Sequence, residues 1–244
     1  YPRDTKADPN TALKVSEELY DKGIRIIIGP LFNNSIAQLE KLNEITFISL
    51  TNKIYQNPKN VISAGVNAVS QINAIKKFQK KNNIERSIFL IPNNNDKNEI
   101  KYAINKTKIV LKDIFEYDSD PTILTSQIED LTRYAQRKQN LLDEIKRLED
   151  SNQIGNDKQI ERLKKKDTLG GINFDSVIIG DFEESLKSVA TSLLYTDISS
   201  KRITYITLNQ WFDKSLLKEK NLQPIYFPSI NKNNYENFIQ NYYS

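Results

Sequence analysis

Cysteine, histidine and methionine are all absent from the 244 residues. Without Cys and His there is no disulfide, no thiol nucleophile, no Ser-His or Cys-His relay, and none of the nitrogen and sulfur ligands of an ordinary zinc site. Chemistry would rest on carboxylates, Lys, Tyr and hydroxyls, and neither a metal nor a cofactor is expected. The lack of Cys leaves the compartment open, because a periplasmic protein without disulfides and a cytosolic one look alike on this count. The lack of Met removes even an initiator, and the chain starts at Tyr1 in what reads as the end of a strand, so a fragment or processed product is expected. Charge of one sign is also lacking. Lys+Arg number 35 against 31 Asp+Glu, leaving +4, which is too balanced for neutralising a nucleic-acid backbone, and no nucleic-acid partner is expected. No window approaches the ~20 consecutive apolar residues of a membrane span, and no charged-then-apolar leader opens the chain. Gly is scarce, at 7, and Gly170-Gly171 stands alone, so neither a dinucleotide-binding G-x-G-x-x-G nor a Walker phosphate loop is present.

What is there is an alternation of strand-length apolar runs with segments of helical period, the pattern of an α/β protein with parallel sheets. Residues 24–29, 45–50, 87–91, 113–117, 176–180 and 203–208 are rich in β-branched and aromatic side chains, and most are near-continuously apolar, as strands covered on both faces should be. Between them lie apolar positions at helical spacing: Ala12, Val15 and Leu19; Ile36, Leu39 and Leu42; Ile72, Ile75 and Phe78; Ile100, Ile104 and Leu111; and Leu186, Val189, Ala190 and Leu193. The length suits one large domain or two lobes, each able to bury a core.

From about Pro121 to Thr168 no strand is expected. Ile128, Leu131, Ala135, Leu142 and Ile145 recur near a 3-4 spacing among charges of both signs, and Gly155-Asn156 interrupts the run. Helices of about 30 and 12 residues meeting at that turn would form a hairpin inserted at 121–168. It reads either as a solvated, salt-bridged elaboration or as a partner-docking arm.

Asp4-Thr5-Lys6-Ala7-Asp8-Pro9-Asn10, then Ile26-Ile27-Ile28-Gly29-Pro30-Leu31-Phe32 with Ser35, then Phe47-Ile48-Ser49-Leu50-Thr51-Asn52, form an ordered pattern along the chain. It resembles the type 1 periplasmic binding protein fold, the leucine/isoleucine/valine-binding class. The Gly-Pro-Leu-Phe wording and Asn209-Gln210-Trp211-Phe212-Asp213 look most like the penicillin-binding-protein activator branch, the LppC/LpoA-like envelope lipoproteins. The resemblance implies two Rossmann-like α/β lobes with a cleft between them. Lobe one, incomplete, would span 1–66; lobe two, with the hairpin, 67–227; residues 228–244 would return to lobe one. It also implies a periplasmic or cell-envelope location, with membrane tethering only through an N-terminal lipid anchor upstream of this sequence.

In open parallel sheets, ligands bind beyond the carboxyl ends of strands. Asn33, Asn34 and Ser35 follow one such end and suit the cap of the helix carrying Ile36 and Leu39, where free N–H groups favour an anion. Ser49, Thr51 and Asn52 follow the next and would fix a small polar ligand. Trp211, the only Trp, would line the cleft from the other lobe. The alternative for all seven is local capping, turn-making and packing. Tyr226, Phe227 and Pro228 read as a hinge crossover, and Tyr235, Phe238 and Tyr242 as one face of a helix in core or interface. The carboxylate pairs Asp143-Glu144, Glu149-Asp150 and Glu183-Glu184 sit on predicted helix surfaces, and nothing pairs Asp175, Asp181 or Asp213, so no catalytic residues and no enzyme activity are expected. Two functions compete. One is a non-enzymatic activator docking on a penicillin-binding protein; the other is a solute-binding component of an ABC importer, partnered by its permease and taking an amino acid or similar small polar ligand. A cytosolic structural α/β protein is a third.

Overall fold

A computed structural model describes residues 1–151, 155–208 and 215–243. They form an α/β protein with two separate parallel sheets. The described residues divide into two compact units, 1–74 with 96–109, and 75–95 with those from 110 onward.

In the first unit, α1 (Pro9–Asp21) starts where Pro9 pre-sets the helical φ and the Asp8 carboxylate accepts the Thr11 N–H at 2.7 Å. It leads into β1 (Ile26–Ile28), β2 (Thr46–Ser49) and β3 (Val61–Ser63), paired in that order with Ile27 opposite Phe47 and Phe47 opposite Val61. One face packs Phe47 and Val61 against Ile36, Leu39 and Ile45. The other face is bare among the described residues, with Ile26 64%, Ile28 74% and Ile62 56% exposed, which departs from the expectation of strands covered on both sides. The helix expected over Ile36, Leu39 and Leu42 is instead a pair of 3-10 turns, Asn33–Ser35 and Ala37–Lys41. Accordingly, the N–H groups of Ser35, Ile36, Leu39 and Leu42 each donate three residues back.

α2 (Ala68–Lys81) runs from the first unit into the second, and α3 (Lys97–Thr107) groups with the first. The second unit holds β4 (Ser87–Pro92), β5 (Asp113–Tyr117), β6 (Ser176–Ile179), β7 (Thr204–Thr207) and β8 (Ile225–Tyr226), all parallel in the order β5-β4-β6-β7-β8. Every residue of β4 and β6 is buried, as the continuous apolar runs require. α4 (Pro121–Thr132) and α7 (Glu183–Tyr195) bury Leu124, Ile128, Leu186, Val189 and Leu193 in the same core as Leu90, Val177 and Tyr205. Tyr226, expected in a hinge crossover, pairs as the edge strand β8 opposite Ile206. α8 (Lys232–Tyr243) buries no residue, so Tyr235, Phe238 and Tyr242 stand exposed rather than in a core. The lobe scheme read from the sequence groups α3 with lobe two and 228–244 with lobe one; compactness groups each the other way.

The inserted hairpin is shorter than expected. Arg133, in the left-handed region at φ 51°, breaks the 30-residue helix, so α4 belongs to the sheet's own cover and the elaboration is α5 (Tyr134–Asp150) with α6 (Asn156–Leu163). Leu141, Leu148 and Leu163 make a cluster of their own there.

At the amino end of this sheet the Arg86 guanidinium meets Asp175 at 2.5 Å and holds its carboxyl below the usual carboxylate range. A depressed folded pKa stabilises above the unfolded value, about pH 4, and that contribution fades as pH falls through the folded value. Asp175→Asn is therefore expected to flatten the acid limb of stability, measured by urea unfolding at stepped pH.

Candidate functional site

The loops that leave β1 and β2 bring some of the expected residues together. Ser49 Oγ donates to the Pro30 carbonyl at 2.8 Å and accepts the Thr51 N–H at 3.3 Å. Thr51 Oγ1 accepts the Lys53 N–H, and the Thr51 carbonyl accepts from Ser63 Oγ at 2.7 Å. Ser49 and Thr51 are thus buried and engaged within the loops themselves. Ser35 is buried in the neighbouring 3-10 turn, while Asn33, Asn34 and Asn52 are exposed. No side chain caps either 3-10 turn, and neither is long enough to present a helix dipole. Trp211, with Asn209, Gln210, Phe212 and Asp213, lies outside the described residues.

Two neighbouring strand exits require Gly65. A Cβ there would stand 2.4 Å from the Thr51 carbonyl oxygen, a backbone atom with no freedom to swing aside. Gly65→Ala is expected to force the exits of β2 and β3 apart and to lower stability by about 1–3 kcal/mol, read by denaturant unfolding, with the largest amide shifts at Ser49 to Thr51.

Sequence reasoning missed the group that faces this loop. Glu99, in the first turn of α3, accepts the Ile54 N–H at 3.1 Å on Oε1 and the Tyr55 N–H at 2.8 Å on Oε2. Its signal in the sequence was position: Glu99 shares the buried stripe of α3 with Ile100, Ala103 and Ile104, where an acid needs partners.

A second polar locus lies at the carboxyl end of the five-stranded sheet, beside β4 and β6, where the strand order reverses direction. That switch point is where open α/β sheets bind ligands. Asp181, buried, accepts the Tyr117 hydroxyl at 2.7 Å and the Phe182 N–H at 3.0 Å. Burial, followed by the Asp181 charge, pushes the Tyr117 phenol far up, so it stays a protonated donor at neutral pH. The pair can orient an ammonium or hydroxyl group. No group of three or more acidic residues suited to a metal occurs among the described residues.

The third locus is the hairpin. Arg137, 3% exposed, donates from Nε to the Thr132 carbonyl and from Nη1 to Thr168 Oγ1, both at 3.0 Å, and from Nη2 to the Thr196 carbonyl. The Leu169 N–H closes the hairpin base onto the Arg137 carbonyl at 2.9 Å. Between α5 and the segment that follows α6 runs an open groove of 790 Å³ in which Leu142 and Ile145 lie among Lys138, Lys146, Lys164, Glu149 and Asp167.

No protein-family model and no curated protein matches the chain. Solved structures do. The LpoA C-domain from Haemophilus influenzae, described as a regulator of PBP1A, matches 98% of this chain and 67% of its own at a TM-score of 0.57 and 11% identity. Full-length LpoA from the same organism matches 84% of this chain and 31% of its own, at 0.51 and 11%. An ABC transporter substrate-binding protein from Desulfitobacterium hafniense matches 86% and 54%, at 0.50 and 12%. The chain spans about half the length of the ligand-binding and substrate-binding structures it matches, 52% and 54% for two of them. At these identities the likeness speaks for architecture, and the architecture is that of the type 1 periplasmic-binding-protein-like fold.

Proposed function

We propose that the chain is a non-enzymatic protein of the cell envelope that regulates a peptidoglycan-synthesising penicillin-binding protein by docking on it. The observation that carries this reading is the α5–α6 hairpin, which has an apolar cluster of its own, a base fixed by the buried Arg137, and a groove lined by apolar residues and by charges of both signs. A carrier of a small solute has no need of such an arm, whereas a regulator needs a surface that stays presented when the rest of the lobe is folded. The breadth of the likeness to the LpoA C-domain, 98% of this chain, agrees with it. A periplasmic or cell-envelope location belongs to the same proposal.

The second reading is a solute-binding component of an ABC importer for an amino acid or similar polar molecule. The Tyr117–Asp181 pair at the switch point favours it, and Asn33, Asn34, Ser35, Ser49, Thr51, Asn52 and Trp211 are the ligand-contacting residues it would use. Thermal melting in the presence of amino acids, small carboxylates and muropeptides separates the two, because a ligand of the folded state raises the melting temperature by mass action. The regulator reading expects no saturable rise with any of them and measurable binding to a purified bifunctional penicillin-binding protein of the encoding organism. A saturable rise with an amino acid, weakened by Tyr117→Phe, would transfer the function to the carrier.

A further inference from the structure

Three contacts tie the loop after β2 to α3, all within the first unit. Both oxygens of Glu99 accept successive backbone N–H groups, from Ile54 at 3.1 Å and Tyr55 at 2.8 Å. Lys53 pairs with Asp96 at the start of the helix. The Tyr55 ring lies 5.8 Å from Tyr102, tilted by 59°. Glu99 itself is 7% exposed. Two adjacent N–H groups converging on one carboxylate are the way a backbone concavity holds an anion, and the bonds are charge-assisted. A free ligand carboxylate would present the same pair of oxygens to the same pair of donors.

We propose that Glu99 is a tethered carboxylate ligand of this loop, filling the anion position beyond β2 and closing it to free carboxylates such as amino acids. The inference rests on the regulator reading in one respect: it explains why a loop at a strand's carboxyl end, where a carrier would recognise solute, needs none. A tethered group competes at an effective concentration on the order of millimolar or above, so a free carboxylate must bind more tightly than that to displace it. Glu99 therefore decides which ligands the loop refuses.

The test follows the Ile54 and Tyr55 amides of the full chain by NMR. In the unaltered protein, propionate and leucine are expected to leave both resonances in place. In Glu99→Ala, propionate is expected to shift both saturably and to restore part of the lost melting temperature. Glu99→Gln keeps the shape but leaves one acceptor oxygen; seated at the Oε2 position it serves Tyr55 and turns an NH2 toward the Ile54 N–H, so hydrogen exchange at Ile54 is expected to become about tenfold faster; this variant decides the matter should the alanine form not fold. Saturable shifts of both amides by propionate or leucine in the unaltered protein would overturn the proposal, as would unchanged exchange in Glu99→Gln or no response of Glu99→Ala to propionate. Ligand-induced shifts confined to Tyr117 and Asp181 would sink the regulator reading and leave Glu99's role standing.

Discussion

Replacing Arg137 by alanine is expected to lower the stability of the second unit by on the order of 3 kcal/mol, because buried acceptors at Thr132, Thr168 and Thr196 lose their donor at one stroke. The guanidinium is the junction of a longer chain of bonds: Thr168 Oγ1 also donates to Asp197 at 2.7 Å, and Arg202 donates to the same carboxylate oxygen at 2.7 Å. Burial pulls the Arg137 pKa down while the Asp197 charge opposes that pull, so the charge is held by its hydrogen bonds rather than by solvent. Lysine cannot reproduce the planar fork, and Arg137→Lys is expected to recover less than half of the loss. Urea unfolding of the three proteins measures this. A change below about 0.5 kcal/mol in Arg137→Ala, the size of an ordinary surface substitution, would show that the hairpin base is held by something else.

The second large effect separates two deletions. Removing 127–167 takes Ile128 and Leu131 with the hairpin, and Ile128 lies in the core with Leu124 and Leu186. Loss of two such side chains costs about 4 kcal/mol or more, before counting Arg137, so this variant is expected not to fold cooperatively. Removing 139–167 with a short Gly-Ser bridge spares α4, Arg137 and Thr168. Its ends are already close, since the Leu169 N–H bonds the Arg137 carbonyl, and closing a short loop costs little chain entropy. This variant is expected to keep a cooperative transition. Circular dichroism and denaturant titration of both distinguish a hairpin that is an appendage of α4 from one that is part of the lobe.

The strands that carry a run of β-branched and apolar residues, β1, β2, β4, β5, β6 and β7, were legible whatever their length. β3, with two apolar residues between Asn60 and Ser63, and β8, set between Pro224 and Pro228, were not; prolines on both sides read as a crossover. The 3-10 turns at Asn33–Ser35 and Ala37–Lys41 were read as a helix, because the spacing of Ile36, Leu39 and Leu42 is the same as that of Ile72, Ile75 and Phe78 in the true α-helix α2. The break at Arg133 was hidden, since a left-handed arginine leaves no mark in composition. At the site, hydroxyls at strand ends could be named in advance, but not that Ser49 and Thr51 bond within their own loops. Glu99 could have been flagged by its place on the apolar stripe of α3, but its partners, 44 and 45 positions away, could not; Arg137 lies in charged surroundings, and its partners at Thr168 and Thr196 are 31 and 59 positions away.

Under the proposed function the hairpin is a docking arm for a peptidoglycan synthase. Interferometry with a purified bifunctional penicillin-binding protein of the encoding organism, immobilised and titrated with the full chain and with the 139–167 deletion, tests it most directly. Saturable binding by the full chain, reduced at least about tenfold by the deletion, a loss of about 1.4 kcal/mol, is the predicted result. Equal binding by both would remove the hairpin from the interface, and no binding by the full chain, together with saturable binding of an amino acid, would contradict the account.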